Sequence, residues 1–232
     1  MLLSQFFGSL ISSACLLCRR TLRGIKPLCA VCEHHLPWNT QACLRCAIPL
    51  VATEKYCGHC LQSPPIFSSA VCAFRYEEPV AGLLNRYKHS GQLACGHWLA
   101  HSLAQHIRDS ERAGVLILPE CILPVPLHWR RLQQRGFDQG AEIARVLARQ
   151  LHLPLSRALA RQRNTDSQQG LSRQQRQTNL NEAFILQRPL PYRRVAVVDD
   201  VLTTGSTATE IVRVLSAAGV DEVQVWAIAR TP

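Results

Sequence analysis

The N-terminal part of this chain carries four Cys-x-x-Cys pairs at a regular spacing. Their first members stand at positions 15, 29, 43 and 57, so one pair follows another every 14 residues. The two sulfur atoms of such a turn point to one side and can bind one metal ion, and two turns complete a tetrahedral zinc site. The stretch therefore predicts two structural Zn²⁺ ions. The eight predicted ligands are Cys15, Cys18, Cys29, Cys32, Cys43, Cys46, Cys57 and Cys60.

The spacing leaves open which pairs combine. Combining neighbouring pairs closes the shortest loops and is the preferred arrangement, with an interleaved arrangement as the alternative. A redox or disulfide role is less favoured, because a secreted disulfide scaffold is expected to distribute its cysteines less evenly. The three remaining cysteines are expected to be small core residues, and the nearby histidines to be surface residues rather than ligands. These residues are Cys72, Cys95, Cys121, His34, His35 and His59.

The composition is that of a folded, water-soluble protein with a phosphate-bearing partner. Hydrophobic residues make up 47% of the 232 residues and charged residues 18%, which excludes a disordered or collagen-like chain. The formal net charge is +10, and all but three of the 26 basic residues are arginine. This excess favours binding of phosphate groups, although charge alone does not identify the partner.

The apolar run within residues 1–14 resembles an export signal. No basic residue precedes it and polar residues interrupt it, so a short amphipathic helix is predicted instead. No window contains the roughly 18 continuous apolar residues that a membrane helix needs. Metal-bound thiolates without an export signal indicate a cytoplasmic protein that does not insert into membranes.

The hydrophobic pattern changes near Pro64 and Pro65, which are interpreted as a linker. Residues 1–65 are predicted to form the cysteine-rich module and residues 66–232 a second domain. There, apolar strands alternate with amphipathic helices, which predicts an α/β fold with a mainly parallel, twisted sheet flanked by helices. The predicted strands are 71–76, 121–125, 195–198 and 223–229, and the predicted helices are 79–88, 93–107, 137–151 and 206–218.

Residues 195–207, VAVVDDVLTTGST, predict a ligand site. An apolar strand runs into two adjacent acids, Asp199 and Asp200, and a hydroxyl-rich loop then leads into a helix. Ligands of open parallel sheets bind at the carboxyl ends of strands, and N–H groups at a helix start suit a phosphate. Because carboxylates repel a phosphate, the acids are predicted to accept hydrogen bonds from sugar hydroxyls. A ribose 5-phosphate site fits this segment, and a capped helix without a ligand is the alternative.

This segment resembles the motif with which type I phosphoribosyltransferases bind 5-phosphoribosyl 1-pyrophosphate (PRPP). With the cysteine-rich N-terminus, it makes almost the whole chain similar to the ComF family of competence and DNA-utilisation proteins, including the GntX-like members. Further family-like segments are LNRYKHSG at 84–91, PVPLHWRRLQQRGFDQ at 124–139 and RQRNTDSQQGLSRQQRQTNLNEAF at 161–184. Asp138 departs from the family pattern, which usually has Asn at this position.

The resemblance implies a double zinc-ribbon module followed by a type I phosphoribosyltransferase-like domain. By analogy, Asp199 and Asp200 bind the ribose hydroxyls and act in catalysis. The 5′-phosphate is bound by Thr203, Thr204, Gly205, Ser206 and Thr207. Pyrophosphate lies after the strand at 121–125, and residues 163–179 form a hood over the site. The cations assigned to pyrophosphate or hood are Lys88, Arg130, Arg131, Arg135, Arg163 and Arg176.

Three functions are compatible with these residues. The first is a phosphoribosyltransferase-type protein that binds PRPP and acts in uptake or use of external DNA, alongside other DNA-uptake proteins. Its catalysis, with Mg²⁺ bound together with PRPP, stays open because no side chain is an obvious general base and the acceptor is unknown. The second is a non-catalytic protein that binds single-stranded DNA through its zinc module and arginines. The third is a regulator that responds to PRPP.

Overall fold

The computed structural model of the chain describes residues 12–24, 26–51, 54–162 and 183–232. Within these ranges, the N-terminal module contains two short antiparallel strands and two short helices. They are β1 (Ser12–Ala14), β2 (Thr21–Arg23), α1 (Ala30–His34) and α2 (Gly58–Gln62). The predicted N-terminal helix is therefore wrong for residues 12–14, which pair with β2, and residues 1–11 lie outside the described ranges.

A parallel sheet of four strands forms the centre of the following domain. In spatial order, its strands are β3 (Ser69–Arg75), β8 (Glu222–Arg230), β7 (Arg194–Leu202) and β4 (Cys121–Pro124). A separate antiparallel pair consists of β5 (Leu159–Arg161) and β6 (Phe184–Leu186). The helices of this domain are α3 (Val80–Ser90), α4 (Leu93–Arg112), α5 (Trp129–Arg135), α6 (Gln139–Leu151) and α7 (Ser206–Ala217).

Alternating side chains divide the core into two clusters, one on each face of the sheet. On β8, Trp226 and Ile228 pack with α3, α4 and α6, whereas Val225 and Ala227 belong to the cluster that contains α7. The strands are runs of β-branched and small apolar residues, which suit a parallel sheet that is buried on both faces. The predicted α/β fold with a parallel sheet between helices is confirmed.

The N-terminal module covers the edge strand β3. Asn39 donates its backbone N–H to the carbonyl of Ala73 at 2.9 Å, and Arg75 donates to the carbonyl of Pro37 at 2.8 Å. The Trp38 ring lies near Phe74 of the strand, with ring centroids 4.4 Å apart. These contacts occupy backbone groups that an uncovered edge strand would offer to other chains.

The two halves of the module pack on opposite faces of the sheet. Leu28 and Leu36 belong to the core cluster with α3, α4 and α6, whereas Ala47 belongs to the cluster with α7. The edge strand β3 therefore runs between the two halves. As a result, the second half lies on the same face as the helix that follows the predicted phosphate loop.

Two features of the domain differ from the sequence prediction. Helix α5 is not predicted by the sequence pattern, because its residues WRRLQQR show no apolar periodicity. Strand β7 continues beyond residue 198 through both acids to Leu202, since it pairs with β8 over that whole length. In the described part of the chain, no helix is both long and apolar enough to cross a membrane.

Candidate functional site

Four cysteine sulfurs converge at each of two places in the N-terminal module. Within each group, the Sγ atoms all lie within 4.8 Å of one another. The first group is Cys15, Cys18, Cys29 and Cys32, and the second is Cys43, Cys46, Cys57 and Cys60. Neighbouring pairs therefore combine, and the interleaved alternative is wrong. A tetrahedron with Zn–S bonds of about 2.3 Å separates its sulfurs by roughly 3.8 Å, and one Sγ–Sγ distance in each group is 3.7 Å.

Backbone N–H groups donate to two of the sulfurs in each group, Cys15 and Cys29 in the first and Cys43 and Cys57 in the second. The N–H of Cys29 donates to Sγ of Cys15 at 3.5 Å, and the N–H of Cys57 donates to Sγ of Cys43 at 3.3 Å. Burial raises the pKa of Cys15 and Cys43, but these and neighbouring hydrogen bonds lower it to about 6 and about 7, respectively. The side chain of Cys29, together with burial, raises the pKa of Cys32 to about 12. Four thiolates this close together repel one another, so all four cysteines of a group ionise only when a cation lies between them. Zn²⁺ supplies this positive charge.

The remaining cysteines and the nearby histidines lie where the sequence predicted. Cys72, Cys95 and Cys121 are buried in the core, and His34, His35 and His59 are exposed.

The two acids near the end of β7 lie on opposite faces of the sheet, as neighbouring residues of a strand do. Oδ2 of Asp200 forms an ion pair with Nζ of Lys88 at 2.9 Å, and the two side chains are only 10% and 17% exposed. Asp199 instead lines a small cavity together with Thr203 and Gly205 of the following loop. The fold thus brings Lys88 and both acids to one end of the sheet.

Gln139 is a candidate site residue that the sequence prediction missed. Its side-chain Nε2 donates to Oδ2 of Asp200 at 3.3 Å, and its backbone carbonyl accepts a hydrogen bond from the hydroxyl of Tyr87 at 3.2 Å. Among the described residues, its buried Oε1 has no hydrogen-bond partner. Such an acceptor beside a carboxylate suits a ligand hydroxyl. The sequence does contain a signal that could have identified Gln139. It is a polar residue four positions before Ile143, and so it lies on the buried face of an amphipathic helix.

Asp199 has a strongly shifted ionisation equilibrium. Burial and the charge of Asp200 raise its pKa to about 7, opposed by the N–H of Asp200, which donates to Oδ1 at 2.8 Å, and by Lys88 and Arg161. A carboxyl group that titrates near neutral pH is typical of a ligand-binding or catalytic site. Arg161 of β5 is a second candidate site residue that the sequence prediction missed. Burial and the neighbouring Arg131 lower its pKa, while Asp199 raises it.

We expect the variant Asp199→Asn to be more stable than the wild type above neutral pH. Because the folded state raises the pKa of Asp199, ionisation of this group lowers the free energy of unfolding between about pH 4 and pH 7. Asparagine removes that cost, and its Oδ1 can still accept the N–H of Asp200. Thermal unfolding from pH 4 to pH 8 should show a stability difference that grows up to pH 7, by at most about 1.4 kcal/mol per pH unit, and then levels off. A difference independent of pH would contradict the raised pKa.

The predicted phosphate loop, residues 203–207, connects β7 to α7. Gly205 has φ of 77°, a left-handed conformation that favours glycine, and an added Cβ would lie 3.5 Å from the Phe67 ring. The hydroxyls of Thr204 and Ser206 hydrogen-bond to each other at 2.8 Å. Helix α7 starts at Ser206 without a side-chain cap, so the N–H groups of its first turn suit an anion.

The structure describes only some of the arginines that were predicted to bind pyrophosphate or to belong to the hood. Arg130, Arg131 and Arg135 lie on α5, which follows β4, the neighbour of β7 in the sheet. The guanidinium of Arg130 lies 5.3 Å from the centroid of the exposed Trp129 ring. Arg163 and Arg176, with the predicted hood at 163–179, lie outside the described residues.

A groove of about 540 Å³ separates the loop from the second cysteine group. Thr204 and Ser206 line the loop side, and His59 and Pro64 line the module side. The acids of β7 do not line this groove, whereas Leu202 and Gly205 line both the groove and the small cavity beside Asp199.

Comparisons with known proteins agree with this architecture. Residues 7–61 match the double zinc ribbon domain, and residues 138–232 match the phosphoribosyl transferase domain. Competence protein F of Haemophilus influenzae is 39% identical over 221 residues, which cover 93% of this chain and 96% of that protein. DNA utilization protein YhgH of Shigella flexneri and that of Escherichia coli K12 are each 36% identical over 223 residues, covering 95% of this chain and 98% of theirs. The zinc-ribbon match and the two four-cysteine groups together support structural zinc.

Proposed function

This chain belongs to the ComF family of competence and DNA-utilisation proteins, and we propose that it binds PRPP and acts in the use of external DNA. One observation carries the ligand assignment: the acids of β7 lead within a few residues into a left-handed glycine loop at the start of α7. The names of the relatives support the cellular role. We further propose a domain boundary near residue 65 and a cytoplasmic location, which suits reduced zinc thiolates.

The proposed ligand contacts follow from the chemistry of each group. Backbone N–H groups and hydroxyls of residues 203–207 receive the 5′-phosphate, since they offer hydrogen-bond donors at the start of helix α7. Asp199 and Asp200 accept hydrogen bonds from the ribose hydroxyls, and Oε1 of Gln139 adds an acceptor next to Asp200. Lys88 pairs with Asp200 and holds it in position, and the arginines of α5 face the pyrophosphate.

The acids do not form a ready-made cation site. In the described ranges, the side chains that can converge on one metal ion are the two cysteine groups. Lys88 already neutralises Asp200, and Asp199 points to the other face. We therefore propose that Mg²⁺ enters on the pyrophosphate of PRPP, and we assign no protein ligand to it.

If the domain is catalytic, it supplies position and charge rather than a covalent intermediate. The bond from C1′ to pyrophosphate breaks, a nitrogen nucleophile bonds to C1′, and arginines neutralise the charge of the departing pyrophosphate.

The test of catalysis is pyrophosphate release from PRPP with Mg²⁺ across a panel of nucleobases and amines. We expect release with one acceptor, reduced at least about a hundredfold in Asp199→Asn/Asp200→Asn. PRPP binding without release for any acceptor would instead indicate a PRPP-responsive regulator.

A second candidate function is binding of single-stranded DNA. Trp129 is 55% exposed beside Arg130, so α5 presents an aromatic ring and positive charge on one surface. Aromatic rings stack on bases, and arginines bind phosphates. Titration of tryptophan fluorescence with a single-stranded oligonucleotide at low and high salt, on wild type and Trp129→Ala, tests this function. Equal affinity of the two proteins would remove Trp129 as a stacking surface.

A further inference from the structure

We propose that Arg230 is a positioning residue through which the second zinc ribbon fixes the backbone leading into the phosphate loop. The second zinc ribbon is the half of the module that contains the group Cys43, Cys46, Cys57 and Cys60. The inference rests on the phosphate-binding role proposed for residues 203–207. It adds that this role depends on zinc in one of the two ribbons.

The guanidinium of Arg230 joins the two elements directly. Its Nε donates to the carbonyl of Cys46 at 2.9 Å, and its Nη1 donates to the carbonyl of Leu202 at 3.2 Å. Cys46 belongs to the second cysteine group, and Leu202 immediately precedes the loop. One planar, rigid group therefore sets the distance between a zinc-binding turn and the start of the phosphate loop.

Both ends of this bridge are held in place. On the ribbon side, Ala47 is buried with φ of 56°, and its carbonyl accepts Nδ2 of Asn39 at 2.9 Å. On the loop side, Leu202 is buried, and its carbonyl also accepts the N–H of Thr231 at 3.1 Å. A shift of the Cys46 turn is therefore passed to Leu202 rather than absorbed by loose backbone.

Open space separates the two elements beyond the bridge. The groove of about 540 Å³ has Cys46 and Cys60 on one side, Thr204 and Ser206 on the other, and Arg230 between them. Across this groove the guanidinium provides a hydrogen-bonded connection between the two elements, in addition to the apolar packing of Ala47 in the core cluster that contains Leu202. Loss of zinc frees the Cys46 turn, and loss of Arg230 removes the hydrogen-bonded connection between the loop and a ribbon that stays folded.

The first zinc ribbon offers a matched control. Nη1 of Arg86, on α3, donates to the carbonyl of Leu16 at 2.9 Å, and Leu16 lies between Cys15 and Cys18. This is the same kind of bond between a guanidinium and a zinc-binding turn. The first ribbon packs on the opposite face of the sheet from α7, so Arg86 does not connect to the loop.

The variants Arg230→Met and Arg86→Met compare the two bridges. Both are expected to retain two zinc ions per chain. Only Arg230→Met should show faster amide hydrogen exchange at residues 203–207 in the ligand-free protein. It should also bind PRPP about tenfold more weakly, the size expected for loss of one charge-assisted hydrogen bond. Arg230→Lys keeps the charge but not the two-pronged geometry, so it should restore only part of the affinity.

A double variant separates coupling from general destabilisation. Cys60→Ser, which removes a ligand of the second site, should loosen residues 203–207 as Arg230→Met does. Adding Arg230→Met to Cys60→Ser should then have no further effect. Equal loop exchange and affinity in Arg230→Met and Arg86→Met, or additive effects in the double variant, would overturn the proposal. If the wild type does not bind PRPP, the proposed function fails, while hydrogen exchange still decides whether Arg230 holds the loop.

Discussion

Replacing Cys60 with serine is expected to remove one of the two zinc ions and to unfold the second ribbon. Cys60 is 1% exposed, and its N–H donates to Sγ of Cys57 at 3.4 Å, so it lies inside the second cysteine group. Among the described residues of the surrounding segment, the one helix is the five-residue α2, which is too short to be stable without tertiary contacts. Binding of structural zinc supplies about 10 kcal/mol or more in small zinc domains, so its loss exceeds what the remaining packing can replace.

Metal analysis and limited proteolysis measure this outcome. The wild type should contain two zinc ions per chain and Cys60→Ser one, with new cleavage around residues 43–62. The control is Cys95→Ser, because Cys95 is equally buried, lies outside both groups and donates to Oε1 of Gln92 as a serine hydroxyl can. Two zinc ions in Cys60→Ser, or a loss in Cys95→Ser, would mean that the ligands are assigned wrongly.

The second large effect is expected for Lys88→Met, which should lower the free energy of unfolding by about 3 kcal/mol, as for other broken buried ion pairs. The Asp200 carboxylate then loses its ion-pair partner in a site where its side chain is 10% exposed. Gln139 supplies the remaining side-chain hydrogen bond, at 3.3 Å, and an amide does not replace a positive charge. We also expect weaker PRPP binding, because an uncompensated carboxylate faces the anionic ligand.

Chemical denaturation of a small set of variants tests this explanation. Lys88→Met/Asp200→Asn should recover most of the lost stability, because neither charge remains. Lys55→Met serves as the control, since Lys55 is exposed and should change stability by less than about 0.5 kcal/mol. A loss in Lys88→Met no larger than that in Lys55→Met would show that the ion pair is unimportant in solution.

The features encoded by local spacing were predictable from the sequence. The Cys-x-x-Cys turns predicted both zinc groups, because a turn of four residues fixes where two sulfurs point. The short loops between neighbouring pairs predicted which pairs combine. The run of apolar residues before Asp199 predicted a buried strand. Asp138 caps α6 by accepting the N–H of Ala141 at 3.0 Å, a local role that asparagine can also fill.

The features that depend on long-range packing could not be predicted in the same way. Gln139 and Arg161 meet the acids only because α6 and β5 fold back to the end of β7. Arg230 resembles a solvated strand end in the sequence, and its two carbonyl partners come from distant segments. Helix α5 was not predicted because its mostly polar residues have no regular apolar spacing. Gly136, with φ of 75°, marks the end of this helix.

The most direct test of the central claim is calorimetric titration of the zinc-loaded protein with PRPP in the presence of Mg²⁺. We predict saturable binding at one site per chain, and loss of that binding in Asp199→Asn/Asp200→Asn. Ribose 5-phosphate should compete, because it shares the groups that the acids and residues 203–207 are proposed to bind. No heat of binding to the wild type, or equal binding to the double variant, would contradict a PRPP site at the end of β7.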